Sequence, residues 1–239
     1  MSGTIVFDFD GTLALGAGPI VAYARALGAL AGDEVYERAR QEIRVFEAGG
    51  SVYRDGYHAV GVAALAAGVD PDTLHVAYET SRRELGTEAA PVEPPAGLPA
   101  FLGRLGGTAR LVLATNAPAI GVPRLLRDWG VAEAFDELRF RIGKPAGLAE
   151  IVRVALARGP VLAIGDIVEL DLAPAMELGA DTALVGATAA GATAPVTMRG
   201  RTVTDLYPDI QTWAATAASR TSAPEPTGAD HPHESTERH

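Results

Sequence analysis

Two aspartates near the start of the chain, Asp8 and Asp10, have the type and spacing to do chemistry. They follow the run Thr4 to Phe7, whose β-branched and aromatic residues predict a short buried strand with both acids at its carboxyl end. Residues two apart point to the same side of a strand, and Gly11 permits a sharp turn, so both carboxylates can face one site. Neighbouring carboxylates raise each other's pKa unless a cation lies between them. The pair therefore indicates either a shared proton or a bound metal such as Mg²⁺.

The same stretch also fits an ordinary acidic turn that closes a strand, because short motifs often occur by chance. An EF-hand calcium loop is excluded by its ligand positions. Thr12 stands where the third acidic ligand is expected, and Pro19 stands where a bidentate glutamate is needed.

Polar residues also follow the other predicted strands, which cover 110–114, 138–141 and 160–164. These residues are Thr115 and Asn116, then Gly143 and Lys144, then Gly165 and Asp166 with Glu169 and Asp171 close behind. Parallel α/β sheets bind ligands at the carboxyl ends of their strands. A hydroxyl, backbone N–H groups, a lysine and several carboxylates gathered there suit a phosphate and a divalent cation. Taken singly, each also fits a strand-end turn or a surface charge.

Residues 15–87 are predicted to be helical throughout. Apolar spacing and end signals place helices over 20–31, from Asp33 to the Gly49-Gly50 pair, over 57–67 and from Pro71 onward, with Asp33 and Asp70 as caps. A proline-rich linker at 89–95 follows. Beyond it, helices are predicted over 98–105, 122–129, 148–157 and 170–178, and they alternate with the strands named above and a further strand over 182–185.

This alternation predicts an α/β fold, a parallel Rossmann-like sheet with helices on both faces, plus an inserted all-helical domain. The core is expected to cover 1–14 and 88–217, and the helical domain 15–87. The polar tail, 218–239, is expected to be disordered. His231 and His233 in that tail are potential metal ligands, but the composition favours disorder.

Composition narrows the class of protein. The chain has 239 residues, of which 48% are hydrophobic, enough for a well-buried interior. No apolar run approaches the roughly 20 residues that span a bilayer, and no secretory signal precedes the first strand, so a cytoplasmic location without membrane association is expected. A formal charge of −10 without a dense Lys/Arg cluster argues against nucleic-acid binding. The absence of cysteine excludes disulfides and thiolate chemistry.

The motifs, in this order, resemble the haloacid dehalogenase (HAD) superfamily of phosphohydrolases. The four motifs of that family match Asp8-Phe9-Asp10-Gly11-Thr12-Leu13, Thr115-Asn116, Lys144 and the stretch from Gly165-Asp166 to Asp171. The helical block after the first motif is similar to the helical type of mobile cap in the family. Two features depart from the pattern: the segment between Trp129 and Lys144 is short, and Pro118 closely follows the second motif. Both affect loop shape more than chemistry.

The resemblance implies an Mg²⁺-dependent hydrolase of small phosphate monoesters. Asp8 would be the nucleophile that forms an aspartyl-phosphate, and Asp10 the general acid and base. Thr115 and the backbone N–H groups of Phe9, Asp10 and Asn116 would hold the phosphoryl oxygens, with Lys144 balancing charge. Asp8, the Asp10 carbonyl and Asp166 would bind Mg²⁺, with Asp171 or Glu169 supporting them.

Other functions remain open on the residues alone. A phosphomutase or phosphotransferase would share every residue named. A catalytically silent binding protein on the same scaffold would be expected to lack a motif residue, and none is missing. A dehalogenase is disfavoured because that branch of the family lacks the second carboxylate of the first motif. A nucleotide-binding dehydrogenase is disfavoured because Gly16-Ala17-Gly18 lacks the third glycine.

The partner is expected to be a small phosphorylated metabolite whose leaving group contacts the cap. The residues expected to recognise it are Arg54, Asp55, Tyr57 and His58, which lie between cap helices. Arg54 and His58 fit a solvent-exposed position at least as well.

Overall fold

A six-stranded parallel sheet forms the centre of the computed structural model, which describes residues 3–49, 53–186 and 189–222. The strands are β1 (Gly3–Phe7), β2 (Ala109–Ala114), β3 (Glu137–Arg139), β4 (Val161–Gly165), β5 (Asp181–Leu184) and β6 (Met198–Arg199). Their order is β3-β2-β1-β4-β5-β6, and every neighbouring pair is parallel. The predicted α/β fold class is therefore confirmed, with β1 between β2 and β4 in the middle of the sheet.

Four helices come directly after β1 and five follow later among the described residues. The helices are α1 (Gly18–Ala31), α2 (Asp33–Glu47), α3 (Gly56–Ala66), α4 (Pro71–Arg83), α5 (Leu98–Leu105), α6 (Val122–Asp128), α7 (Ala146–Leu156), α8 (Ala173–Glu177) and α9 (Tyr207–Ser222). We call α1 to α4, residues 18–83, the helical insert.

Apolar side chains cover both faces of the sheet. Successive residues of a strand point to opposite faces, so Ile5 and Phe7 of β1 pack on one side with α5, α6 and α9. Val6 packs on the other side with α7 and α8. Because both faces are buried, ligands can approach the sheet only at its strand ends.

The helical insert has an apolar cluster of its own, in which Leu27, Val35, Ile43 and Val60 are buried together. Of the two helix caps predicted for the insert, one is confirmed. Asp70 caps α4 as predicted, because its carboxylate accepts the Thr73 N–H at 2.9 Å. Asp33 was predicted to cap α2 but is the first helical residue, preceded by Gly32 with φ +100°.

The end of the chain differs from the sequence-based expectation. Neither β6 nor α9 was predicted, and α9 extends to Ser222, so residues 218–222 are helical rather than part of the tail. The helix is held by packing that its Ala- and Thr-rich sequence does not reveal: the Tyr207 ring stacks on Phe101 with centroids 3.8 Å apart, and Ile210 and Ala214 are buried. His231 and His233 lie outside the described residues.

The predicted helix over 170–178 is also interrupted. A π-helical turn covers Val168–Leu172 and is followed by α8.

Within the described ranges, no helix combines the length and hydropathy that crossing a bilayer requires.

Candidate active site

The carboxyl ends of four strands meet around one cavity of about 330 Å³. Phe7 of β1 pairs with Leu113 of β2 and with Ile164 of β4, so these three strands end at nearly the same level. The residues that follow them, Asp8, Thr115 and Asp166, all line the cavity, as does Lys144 from the loop after β3. The structure therefore brings together Asp8, Thr115, Lys144 and Asp166, which the sequence predicted to meet at the strand ends.

Three carboxylates form a tight cluster on the floor of this cavity. Asp8, Asp166 and Asp171 each place an oxygen within 4.8 Å of the others. Burial raises the pKa of Asp8 to about 7, and the charges of Asp171 and Asp10 act in the same direction against the opposing effect of Lys144. Burial, together with the charges of Asp8 and Asp171, raises the pKa of Asp166 well above its ordinary value. The cluster therefore disfavours its own negative charge.

Lys144 is the cation inside this cluster. Its ammonium group donates to the carboxylate of Asp8 and, at 2.8 Å, to that of Asp171, and its side chain is only 3% exposed. Although burial alone would lower the pKa of Lys144, the two carboxylates outweigh it and hold the pKa above its ordinary value. The backbone N–H of Lys144 donates to the Asn116 side chain at 2.7 Å. Asn116 of the second motif thus positions Lys144, the residue of the third motif.

The donor set fits a divalent metal ion. Asp8, Asp10, Asp166 and Asp171 carry four negative charges when ionised, and the two cations among them, Lys144 and Arg82, leave two uncompensated. The available ligands are oxygens, which Mg²⁺ prefers. An ion of charge two would balance the cluster and offset the repulsion among its carboxylates, which adds to the effect of burial on the pKa values of Asp8 and Asp166.

Gly11 allows the first motif to approach Asp166. Its φ is +80°, and a Cβ atom there would lie 2.3 Å from the Asp166 carboxylate. The hydroxyl of Thr12 donates to the same carboxylate at 3.4 Å. A glycine is needed here both for the left-handed backbone and for the close contact.

The second motif lies beside this cluster. Thr115 is buried at the cavity, and its hydroxyl accepts the Ala117 N–H at 3.0 Å. The Phe9 side chain is fully buried and stacks on Trp129, so only the backbone of Phe9 can serve a ligand.

Asp171 and Glu169 were both predicted to support the site, and the structure places them differently. One Asp171 oxygen accepts from Lys144 and the other accepts the Ile167 N–H at 2.9 Å. Asp171 packs against Gly165, where a Cβ would lie 2.2 Å from that of Asp171. Glu169 is exposed and does not line the cavity. The π-helical turn therefore points Asp171, and not Glu169, inward.

The helical insert covers the other side of the cavity. Of the four residues predicted there, Asp55 and Tyr57 line it, whereas Arg54 and His58 do not. Arg54 is exposed, and its backbone N–H donates to the His58 ring at 3.3 Å. Asp55 caps α3 by accepting the His58 N–H at 2.7 Å.

Arg82 of α4 is a residue that sequence reasoning missed. It is fully buried, and its Nη1 donates to the Asp10 carboxylate at 2.7 Å and to the Tyr57 hydroxyl at 3.1 Å. The available signal was positional: Leu74, Tyr78 and Arg82 are four residues apart, so Arg82 continues the apolar stripe of α4. Its contact with Asp10 connects the insert to the first motif.

Solved structures share this fold at low sequence identity. YfnB from Bacillus subtilis, described as a HAD-hydrolase, superposes with a TM-score of 0.60 at 19% identity, covering 87% of this chain and 98% of that one. A HAD phosphatase from Thermococcus onnurineus has a TM-score of 0.54 at 18% identity, with coverages of 87% and 97%. A 2-haloacid dehalogenase from Pseudomonas syringae pv. Tomato DC3000 has a TM-score of 0.54 at 21% identity, with coverages of 89% and 100%.

The search of curated proteins finds no match. A family model described as haloacid dehalogenase-like hydrolase matches residues 3–179, which include every motif residue that lines the cavity. The protein belongs to the haloacid dehalogenase-like hydrolase family.

Proposed function

We propose that the protein is an Mg²⁺-dependent phosphohydrolase that cleaves a small phosphate monoester through an aspartyl-phosphate on Asp8. One observation carries the proposal: Asp8 and Asp10 line the same cavity but have different partners. Asp8 is bonded to Lys144 in the acid cluster, whereas Asp10 is bonded to Arg82 of the insert. Two carboxylates in different surroundings suit a nucleophile and a separate proton carrier.

In the first step, an Asp8 oxygen attacks phosphorus in line as the bond to the leaving oxygen breaks. Asp10 gives its proton to that leaving oxygen, so an alcohol departs and Asp8 carries the phosphoryl group. In the second step, Asp10 takes a proton from water, the water oxygen bonds to phosphorus, and inorganic phosphate leaves Asp8 free again. Arg82 supports this role because it fixes the position of the Asp10 carboxylate.

The phosphoryl oxygens would be held by groups that already meet at the strand ends. Lys144 and Thr115 line the same cavity as Asp8, and the Asn116 side chain accepts the Lys144 backbone N–H. We propose that backbone N–H groups of Phe9, Asp10 and Asn116 complete this set. Fixed donors of this kind stabilise the charge that develops in the transition state.

The carboxylates of Asp8 and Asp166 and the backbone carbonyl of Asp10 would hold Mg²⁺, with Asp171 beside them. When bound, the ion offsets the negative charge of the cluster, which allows a phosphate dianion to approach. The acid cluster supports this assignment, and so does the Bacillus subtilis structure, which is described as bound to magnesium.

The helical insert would act as a cap that excludes water and contacts the leaving group. A dehalogenase is disfavoured for this chain because Asp10, the second carboxylate of the first motif, is present and lines the cavity. A mutase or transferase uses the same residues with a second hydroxyl in place of water, and a silent binding protein would show no turnover.

The test is release of inorganic phosphate from phenyl phosphate with Mg²⁺, with a chelator, and with Asp8→Asn. We expect turnover only in the first case, because chelator removes the ion and Asp8→Asn removes the nucleophile. A wild-type-like circular dichroism spectrum and a cooperative melting transition would show that Asp8→Asn remains folded. Turnover that persists in Asp8→Asn or in chelator contradicts the mechanism. Transfer to an added alcohol in preference to water would identify a phosphotransferase.

Asp10→Asn separates the two carboxylate roles. Rapid mixing with phenyl phosphate is expected to leave some phosphate covalently attached to this variant, while steady turnover is blocked. Asp8→Asn is expected to capture none.

A further inference from the structure

The wall that the insert contributes to the cavity is apolar and aromatic. Its apolar and aromatic side chains are those of Pro19, Ile20, Phe46, Tyr57 and Tyr78, and the segments before and after the insert add Ala14 and Val92. Gly56 lets α3 approach α1 closely, since a Cβ there would lie 2.5 Å from the Ile20 side chain. The leaving group of a bound monoester would therefore contact carbon surface for most of its length.

Among the described residues, the insert also contributes no positively charged side chain to this wall. Among the described residues that line the cavity, Lys144 is the one cation, and it is already bonded to two carboxylates. Residues 50–52 and 187–188, which lie outside the described ranges, contain no basic residue in the sequence. Five arginines of the insert form ion pairs and do not line the cavity, although Asp10, the partner of Arg82, does: Arg25–Glu84, Arg38–Glu34, Arg40–Glu37, Arg83–Glu79 and Arg82–Asp10.

The charged group that the insert does present to the cavity is negative. Asp55 lines it, with one carboxylate oxygen engaged by the His58 N–H. Burial raises the pKa of Tyr57 well above its ordinary value and that of Tyr78 to about 12, so both phenols stay neutral at physiological pH. An anionic substituent on the leaving group would meet carbon, neutral hydroxyls and a carboxylate.

We infer that the substrate is a phosphate monoester whose leaving group is apolar or aromatic and carries no second anion. This inference rests on the proposed phosphohydrolase function and specifies its substrate class. Burying an ionised group without a partner is strongly unfavourable. Bisphosphates and phosphate esters of hydroxy acids would therefore be poor substrates, and Phe46, Tyr78 and Asp55 would be the residues that determine this selectivity.

The experiment compares para-carbamoylphenyl phosphate with para-carboxyphenyl phosphate, which differ in charge and hardly in size. We expect kcat/KM for the carbamoyl ester to be higher by about a hundredfold, the effect of an unpaired charge in a largely buried site. Phe46→Lys places a cation on the wall and is expected to reduce that preference by at least about tenfold. Leu30→Lys is the matched control: it adds the same charge on α1 where the side chain is 52% exposed, and it should leave the preference unchanged.

Asp55→Asn is a second variant in case Phe46→Lys folds poorly, because asparagine retains the helix cap while removing the negative charge. It should also raise the relative rate on the carboxyl ester. Equal rates on the two esters, with turnover still abolished by chelator and by Asp8→Asn, would overturn the inference and leave the proposed function standing. No turnover of either ester or of phenyl phosphate would overturn both.

Discussion

The two sides of the cavity are built in opposite ways. At the sheet edge, charged and polar groups contact one another directly: the Lys144 ammonium donates to Asp8 and Asp171, and the Thr12 hydroxyl donates to Asp166. On the insert side, Tyr57, Tyr78 and Tyr23 pack edge-on or tilted against one another with ring centroids 5.6 to 6.3 Å apart. One side is held by electrostatic contacts and the other by apolar packing.

Under the proposed function, the two sides would have different roles. Groups that stabilise transferred charge need fixed positions, which level strand ends and mutual hydrogen bonds provide. Groups that recognise a leaving group need shape, which helices with apolar faces provide. The Arg82–Asp10 pair is the described ion pair that joins the two sides at the cavity. Substitutions on the two sides should therefore have different effects on stability and on catalysis.

The largest effect is expected at the sheet edge, for Lys144→Met. Its removal leaves the Asp8 and Asp171 carboxylates buried without their cation, so the free energy of unfolding of the metal-free protein should fall by about 3–5 kcal/mol. Urea unfolding followed by tryptophan fluorescence measures this. Arg110→Met is the control, because the Arg110–Glu137 pair is partly exposed and its loss should cost less than about 1 kcal/mol. Similar losses for the two variants would contradict the assignment of Lys144 as a buried counterion.

The second prediction concerns pH without metal. The folded-state pKa of Asp8, about 7, lies above the ordinary value of 3.8, so the folded state binds the proton more tightly than the unfolded state. The resulting stability is fully present below about pH 4 and is lost as the pH rises through about 7, by at most about 4 kcal/mol.

Urea unfolding in chelator across this pH interval should therefore show wild type losing stability relative to Asp8→Asn. Adding Mg²⁺ near neutral pH should restore it in wild type, because only the folded state offers the assembled ligands. Parallel pH curves for the two proteins would show that Asp8 is not the group responsible.

The third prediction tests the connection between the two sides. Arg82→Met removes the partner of Asp10 and should lower the free energy of unfolding by about 3 kcal/mol. It should also lower kcat more than it raises KM. The reason is that Asp10 loses its fixed position, whereas the substrate keeps its contacts with the protein. Arg83→Met changes the next residue, whose side chain is 60% exposed and pairs with Glu79, and should cost no more than about 0.5 kcal/mol. If Arg82→Met and Arg83→Met changed the free energy of unfolding and kcat equally, the Arg82–Asp10 pair would not link the insert to the sheet edge in function.

The smallest effect is expected for Gly11→Ala. Both Gly11 and Gly107 have φ near +80°, but a Cβ at Gly107 would meet nothing within 4 Å, whereas at Gly11 it would meet the Asp166 carboxylate. Gly107→Ala should cost about 1 kcal/mol for backbone strain alone. Gly11→Ala should cost about 2 kcal/mol because the contact adds to the strain.

Calorimetric titration should also show weaker Mg²⁺ binding for Gly11→Ala and unchanged binding for Gly107→Ala. If both variants bind Mg²⁺ like wild type, the close approach of Gly11 to Asp166 does not shape the metal site.

The sheet-edge side could be predicted well from the sequence. Its residues follow strands directly, and a parallel sheet necessarily gathers the residues after its strands at one edge. Helices α1, α4 and α5 were also predictable within two residues at their starts, because their apolar spacing and first-turn prolines are local features. The roles of the gathered residues in catalysis stay predictions.

The insert side was predictable only in part. Asp55 and Tyr57 were expected at the cavity and lie there, but Arg54 and His58 point elsewhere and Phe46 was not foreseen. The reason is that a helix presents a face, and which face meets the core depends on how whole helices pack. The C-terminal helix α9 was missed for the same reason, since packing on α5 rather than periodicity holds it.

The adjacent residues Arg82 and Arg83 show the limit of local information. The two side chains are chemically identical and adjacent in sequence. Arg82 is nevertheless fully buried against Asp10, whereas Arg83 is exposed. The sequence by itself determined the carboxylates, the lysine and the strands that they follow, because these depend on local pattern and on the rule of parallel sheets. Only the tertiary structure decided that Arg82 holds Asp10, that Asp171 rather than Glu169 meets Lys144, and that the described residues of the facing wall include no cation, because each depends on contacts between segments far apart in the chain.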